Sequence, residues 1–465
     1  MDDRRRFEDN LLKIENATKN IRTFIDAITD EKSLVEWDVF LAGKDFLDGS
    51  DALGEGVLTG YATVEGAPVY IFAQNRDVLK GSFSIAQAKK IEKAVDNAIK
   101  AGVPFLSIID SSGARLAEGT AVLEGYGKLA RCAAKLRGAV PHIAVVKGAC
   151  VGLAAVYAAL ADIVIVSERD CLLSAGAPMA IAAKSGNVSP AAELFGAKAQ
   201  LKNGTAALTY KNEAELKTII AEIFDYLRAD GECADDLNRT SSELEKGYEV
   251  DATLKAIADG GKYTELYKGW ADEIRCALIK IGGRTAAVVA SDISKNEGFI
   301  SLSGIKKIKR FAELAEVFGW ALVTLVDSKG LMPSLEEERG GIALEAGLLL
   351  DLIANTENTK IAVIAGKAVG FAYLALAGKE LGYDYSVALY NASISPIVDE
   401  AAIEILYSDE IKAAKDAAAA RKKLADAYSE AAANPFVAAK EGFVDNIIEP
   451  SMLRPYLASL LSVME

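Results

Sequence analysis

The chain has 465 residues, 51% of them hydrophobic, and a formal net charge of −14. That length allows two domains of ordinary size with well-filled cores. The acidic balance excludes nucleic acid as the partner, because holding a phosphate backbone needs a basic footprint; a small polyanion needs only a local cluster of cations and backbone amides.

Residues 1–50 read as a charged, helical N-terminal segment, and MDDRRRFEDNLLK lacks the apolar core of a signal peptide. Cys132, Cys150, Cys171, Cys233 and Cys276 are scattered with no CxxC pair. Neither a disulfide framework nor a zinc ribbon is expected, and the compartment should be reducing and cytoplasmic. GVLTGYATVEGAPVYIFAQN (56–75) predicts a hairpin around Glu65-Gly66. Ile85, Ala88, Ile91, Val95 and Ile99 fall near helical spacing and predict a helix over 85–101. Residues 103–109, 142–146 and 162–167 are continuous apolar strands, the signature of a sheet covered on both faces. The long apolar stretch 148–166 contains Asp162 and many small residues, and reads as helix plus buried strand, a membrane span being the weaker choice. Residues 230–275, acidic and rich in turn formers, read as the linker between domains at 1–245 and 246–465. After it, ALIKIGGRTAAVVASD predicts a second hairpin around Gly282-Gly283, then a helix over 303–318 and strands at 321–326 and 360–364. The Ala/Lys/Glu-rich segment 399–432 predicts one long helix, without the heptads of a coiled coil.

The second half restates the first. IAVVKGACVGLA (143–154) returns as IAVIAGKAVGFA (361–372), with seven of twelve positions identical. An Asp-Ser-x-Gly turn precedes each copy, at Asp110 and Asp327, and each Asp follows a helix-ending glycine (Gly102, Gly319) by eight residues. The period is a whole domain, far longer than a solenoid repeat. A duplicated α/β domain follows, with function placed where the halves meet.

Each repeat sets a glycine turn (Gly148 to Gly152; Gly366 to Gly370) between a buried strand and a helix of small residues. Such a turn presents backbone N–H groups at a helix N-terminus. Two donors aimed at one oxygen make an oxyanion hole, each typically worth about 2.7–4 kcal/mol. Either turn alone reads more readily as an ordinary strand-to-helix connection, which accounts for most such glycines. Their recurrence behind matching Asp turns favours the functional reading.

DSSGARLAEG (110–119), GACVGLAA (148–155), AELFGA (192–197), GKAVGFAY (366–373) and above all NPFVAAKEGFVDNIIEP (434–450) together resemble the carboxyltransferase family: the β-type subunits of biotin-dependent acyl-CoA carboxylases and the α subunits of sodium-pumping acyl-CoA decarboxylases. The resemblance runs in family order from about residue 30 to the end. It implies two tandem crotonase-like domains of the ClpP/crotonase spiral type, the first on the acyl-CoA side and the second on the biotin side. Acyl-CoA would lie on the first domain of one subunit and biotin on the second domain of another, in a homohexamer or dimer. Carried over by position, the backbone amides of Gly152 and Leu153 would hold the thioester enolate oxygen, and those of Phe371 and Ala372 the biotin ureido oxygen. Ser111, Ser112, Gly113, Ala114, Arg115, Gly148, Gly366 and Leu374 would line the substrate. The implied mechanism takes the carboxyl group from carboxybiotin and uses its freed nitrogen as the base. It needs no catalytic His or Cys and no metal, in keeping with a chain that has one His.

Departures from the family pattern bear on specificity. Leu153 follows Gly152 where many members have a second glycine, Phe371 replaces a small residue, and Leu374 stands where several short-acyl members have Asp. Ser112 alters the DSGGAR turn, and Gly330-Leu331-Met332-Pro333-Ser334 replaces a Gly-Phe-Leu-Pro-Gly-like turn. Among single residues, His142 and Cys150 read as packing, Asp110 and Asp327 as turn caps rather than bases, and Glu336 to Arg339 as a solvated helix face. Arg115, Lys80 and Lys147 read equally as CoA-phosphate contacts or as surface charge.

No Met-Lys-Met-type biotinylation site and no ATP-binding motif occur in this sequence. Biotin would therefore arrive on a separate carrier protein, with a biotin carboxylase or a membrane sodium-pump decarboxylase subunit as further partner. The location expected is cytoplasmic, or peripheral to a membrane complex. Two other functions fit: a catalytically weakened scaffold subunit, given the bulky residues at both turns, or a biotin-independent hydratase or isomerase. The latter would want paired glutamates, and only Glu118 stands near the first turn. A dinucleotide dehydrogenase fits least, since G-x-G-x-x-G is missing.

Overall fold

The structure is a computed structural model that describes residues 3–44, 51–186, 189–228, 231, 233 and 235–463. Residues 1–2 and 45–50 of the expected N-terminal segment and 230, 232 and 234 of the expected linker lie outside the described residues. The chain divides into two compact units, Met1–Asp225 and Tyr226–Glu465.

In the first unit the helix Asp3–Ile28 leads into an eight-stranded sheet. Val57–Val64 and Ala67–Gln74 form the expected hairpin, with Glu65 (φ 49°) and Gly66 (φ 75°) both left-handed at its turn. Beyond it Phe105–Ser111, His142–Val151, Ile163–Ser167 and Leu208–Tyr210 pair parallel in that order. The helix Ile85–Ala101 begins at a Ser84 N-cap and stops at Gly102 (φ 66°), as its spacing implied. It packs with Val122–Leu136 to cover one face of the sheet. Strand residues such as Ile108, Val145, Ile165 and Val166 are fully buried, which accounts for continuous apolar strands in place of alternation.

The second unit repeats this order. Ile274–Ile281 and Arg284–Ser291 are the hairpin, followed by the parallel strands Ala321–Ser328, Lys360–Val369 and Tyr385–Leu389. A short strand then runs alongside the end of the central strand in each unit, Leu172–Ser174 on His142–Val151 and Ser393–Ser395 on Lys360–Val369. The tandem repeat expected from the duplication is present, each unit carrying the strand-and-helix order that the family resemblance implied.

Two expectations change. Much of the segment expected to be a linker is folded into the second unit. Val250–Ile257 is a helix with Leu254 and Ile257 fully buried, and Tyr263–Leu266 is an edge strand on the hairpin. Its turn residues serve capping, Glu249 accepting from the amides of Asp251 and Ala252 at the helix start. The single helix expected over 399–432 is three, Asp399–Leu406, Ser408–Ala413 and Ala417–Tyr428, followed by a π-helical turn at Ser429–Ala433. Propensity favoured helix throughout. The interruptions come from Tyr407 and from Asp416, which caps the third helix through the amides of Ala418 and Ala419.

No helix among the described residues is long and apolar enough to cross a membrane. The stretch 148–166 resolves into the end of the strand His142–Val151, a turn at Gly152, the helix Leu153–Ala159 and the strand Ile163–Ser167.

Candidate active site

Both glycine turns sit where the central strand of a unit ends and a short helix begins: His142–Val151 into Leu153–Ala159, and Lys360–Val369 into Phe371–Ala377. The joining residues are Gly152 (φ 72°, ψ −137°) and Gly370 (φ 53°, ψ −115°), conformations open to glycine and strained for any residue with a Cβ. The Gly152 N–H donates to the Ser174 carbonyl at 2.9 Å, and the Gly370 N–H to the Ser395 carbonyl at 2.9 Å. Gly152 is therefore a turn former whose own amide is already engaged. The amides of Leu153 and Ala154, like those of Phe371 and Ala372, open their helices and have no acceptor within them. The two units thus present equivalent first-turn pairs, and at the first turn that pair is Leu153 with Ala154.

The side chain of Leu153 is 49% exposed, and Leu374, one turn beyond Phe371, is 47% exposed. Leu153 borders an apolar groove of about 220 Å³ together with Leu123, Tyr126, Ala130, Val156 and Leu160. The second unit carries exposed leucines on the corresponding helices, Leu344, Leu348 and Leu374.

The DSSGAR turn is more structural than its sequence implied. Ser111 is fully buried, its hydroxyl donating to Gly81 O at 2.7 Å and accepting from Gly113 N at 3.3 Å. Ser112 is exposed, with its amide on Lys80 O. Gly113 (φ 102°) packs beside Val151 O, and Ala114 bridges to Phe83. Arg115 is 6% exposed and pairs with Glu55, itself fully buried, while also donating to Ser82. It is not the surface charge that was one of the two expectations, and its guanidinium is engaged by a buried carboxylate. Its signal was out of reach, because Glu55 lies sixty residues away in sequence. Glu118 accepts from the Ile85 amide at 3.0 Å and so caps a helix.

His142 is buried between Ser107 (2.8 Å to Nε2) and Tyr157 (3.3 Å). Burial pushes its pKa down to about 3, so it is neutral and structural. Burial likewise pushes the Cys150 thiol up, which fits packing rather than nucleophilic chemistry. Lys147 reaches within 3.7 Å of Asp110 and lies over the Phe24 ring, whereas Lys80 is exposed. Glu336, Glu338 and Arg339 are solvated, but Glu337 accepts from the Leu302 amide. Sequence reasoning missed Arg76, which donates to Asp110 at 3.1 Å, and the carbonyls of Ser174 and Ser395. The only sequence trace of those carbonyls is a serine closing each short strand, in LLS and SIS. The NPF motif is a cap. The Asn434 side chain accepts from the amides of Phe436 and Val437 at 3.0 Å, and Asp445 accepts from Ser386 N at 2.8 Å to dock the last strand.

Comparison with known proteins identifies the family and the fold. The family model "Carboxyl transferase domain" matches residues 14–465. The methylmalonyl-CoA carboxyltransferase 12S subunit of Propionibacterium freudenreichii subsp. shermanii is 31% identical over 95% of this chain and 88% of its own. The methylmalonyl-CoA decarboxylase subunit alpha of Propionigenium modestum is 30% identical over 94% and 88%. A crystal structure of transcarboxylase 12S, described as a hexamer assembly with methylmalonyl-coenzyme A bound, superposes with a TM-score of 0.90 at 30% identity, covering 95% of this chain and 88% of that one. With nearly its whole length matched, the chain belongs to the carboxyl transferase domain family.

Proposed function

We propose that this chain is the carboxyltransferase subunit of a biotin-dependent acyl-CoA carboxylase or decarboxylase. It would move a carboxyl group between carboxybiotin on a separate carrier protein and the α-carbon of an acyl-CoA. The observation that carries the reading is the pair of equivalent strand-turn-helix junctions, each with two first-turn amides open for an oxyanion.

The donor set fits two neutral carbonyl-type oxygens that gain negative charge. The amides of Leu153 and Ala154, held by the Gly152 turn, would take the thioester oxygen as the substrate becomes an enolate. Those of Phe371 and Ala372 would take the ureido oxygen of biotin. Bound carboxybiotin supplies the carboxyl group and, once it is released, the nitrogen that takes the α-proton. The chain's own part is electrostatic: preorganised amides stabilise charge that develops only in the transition state. Leu153, with its groove, and Leu374 would shape the acyl end, and Gly148 and Gly366 the turns behind.

The exposed apolar side chains on the corresponding helices of both units favour an oligomer. In it, the first unit of one copy, with acyl-CoA, would face the second unit of another, with biotin. The similar proteins point the same way, among them a hexameric transcarboxylase and a decarboxylase alpha subunit. A biotin carboxylase, or a membrane decarboxylase subunit, would complete the system. Glu118, engaged as a helix cap, is not available as a hydratase acid. Backbone amides also donate whatever side chain follows, so the bulky Leu153 and Phe371 do not favour a scaffold.

The test is decarboxylation of malonyl-CoA, methylmalonyl-CoA and glutaconyl-CoA by the purified chain, with and without free biotin. Biotin-dependent turnover of any of them is expected and would rank acyl preference. Turnover without biotin would replace this reading with a hydratase-like one. Absence of turnover even with a biotinylated carrier domain would replace it with a scaffold.

A further inference from the structure

Just before each glycine turn, the central strand departs from its neighbour in the same way. Ile109 opposes Val146 but Ser111 opposes Cys150; Val326 opposes Ile364 but Ser328 opposes Ala368. Each central strand therefore carries a bulge directly across from an aspartate, Asp110 or Asp327. The Asp110 carboxylate accepts from the Ala149 amide at 3.1 Å, and the Asp327 carboxylate from the Lys367 amide at 2.8 Å. Beside each of these amides is a glycine, Gly148 or Gly366. Neither is among the positive-φ glycines, so backbone conformation alone would admit alanine. Space would not: a Cβ on Gly148 would lie 2.5 Å from Asp110 Oδ1, and one on Gly366 closer still to Asp327 Oδ1.

We propose that Asp110 with Gly148, and Asp327 with Gly366, are coupled positioning residues, each carboxylate stapling the strand bulge that aims the first-turn amides beyond it. The glycine is there to admit the carboxylate, and the carboxylate to hold the bulge. The surroundings of the two staples differ. Asp110 faces Arg76 at 3.1 Å and Lys147 at 3.7 Å, whereas the Asp327 backbone amide is held by Ser291 Oγ at 2.7 Å. The staple needs only an acceptor oxygen, so asparagine should serve where alanine cannot.

The inference rests on the proposed function only for its kinetic readout. The experiment compares wild type, Asp110→Ala, Asp110→Asn, Gly148→Ala and the Asp110→Ala/Gly148→Ala double variant. It measures kcat and KM for biotin-dependent methylmalonyl-CoA decarboxylation, and hydrogen exchange of the segment 147–154. Asp110→Ala and Gly148→Ala should each lower kcat about 10- to 100-fold with little change in KM, because the amides are misaimed rather than lost. Asp110→Asn should stay near wild type, and the double variant should be no worse than Asp110→Ala, since alanine then meets no carboxylate. Multiplicative losses in the double variant, or unchanged kcat in Asp110→Ala, would overturn the coupling. If wild type shows no turnover, the function proposed above is what fails, and exchange decides the staple. Faster exchange at Ala149 in both alanine variants supports it, and wild-type exchange overturns it. Should Asp110→Ala not fold, Gly148→Ala decides by the same exchange criterion. The matching set at Asp327 and Gly366, read through the kinetics of free biotin, is an independent repeat.

Discussion

Replacing Gly152 with alanine separates the strain of the first turn from its chemistry. No atom lies within 4 Å of a Cβ built at this position, so the substitution introduces no clash. The cost is conformational: φ 72° with ψ −137° is about 1–3 kcal/mol unfavourable for a residue other than glycine. Against a typical total of about 5–15 kcal/mol, the protein stays folded. The chain can relieve the strain only by rotating φ or ψ of residue 152, and either rotation swings the Leu153 N–H, which belongs to the next peptide. Loss of one oxyanion donor costs about 2.7–4 kcal/mol, or about 10²–10³ in kcat. Gly102→Ala is the control. It has the same open surroundings and a positive φ of 66°, but it ends a helix remote from the turn in sequence and should leave kcat unchanged. The assay is biotin-dependent decarboxylation of methylmalonyl-CoA alongside urea unfolding of each variant. A folded Gly152→Ala protein with wild-type kcat would refute the assignment of the first oxyanion site.

Gly370→Ala should be more damaging than Gly152→Ala in the same unfolding experiment, because its Cβ would also sit 3.0 Å from the Pro396 carbonyl. Arg115→Ala leaves the buried Glu55 carboxylate without its cation and should cost about 3 kcal/mol or more in urea unfolding. KM for the acyl-CoA should hold, and a raised KM without lost stability would restore the substrate-binding role expected from sequence. His142 stays neutral in the folded protein down to about pH 3, whereas it protonates near 6.5 when unfolded. The unfolded state therefore gains a proton first, and this residue's contribution to stability falls as pH drops from 6.5 toward 3, by up to about 1.4 kcal/mol per unit. His142→Gln should flatten that acid limb between pH 6.5 and 5, and an unaltered slope would contradict it. Phe371→Gly should lower KM for free biotin if the ring narrows that pocket; an unchanged value counts against it.

By itself, the sequence determined the duplication, the element order and the place of both turns. Hairpins, helix starts and glycine stops are local matters of propensity, capping and positive φ, and buried parallel strands announce themselves as continuous apolar runs. The family motifs named the chemistry. What lay beyond reach were interactions closing over long sequence separations. The roles of Arg115, Asp110 and Gly152 depended on Glu55, on Ala149 with Gly148, and on the Ser174 carbonyl, none fixed by any neighbour in sequence. A glycine needed for its φ and a glycine needed for its missing Cβ look alike in a sequence. Only the packed strands show that Gly152 is the first kind and Gly148 the second. The same holds for 399–432, where propensity favoured helix throughout and capping by Asp416 together with the break at Tyr407 decided where helices end. Local physics wrote the elements; the tertiary structure decided which donors were already engaged and which remained open for a ligand.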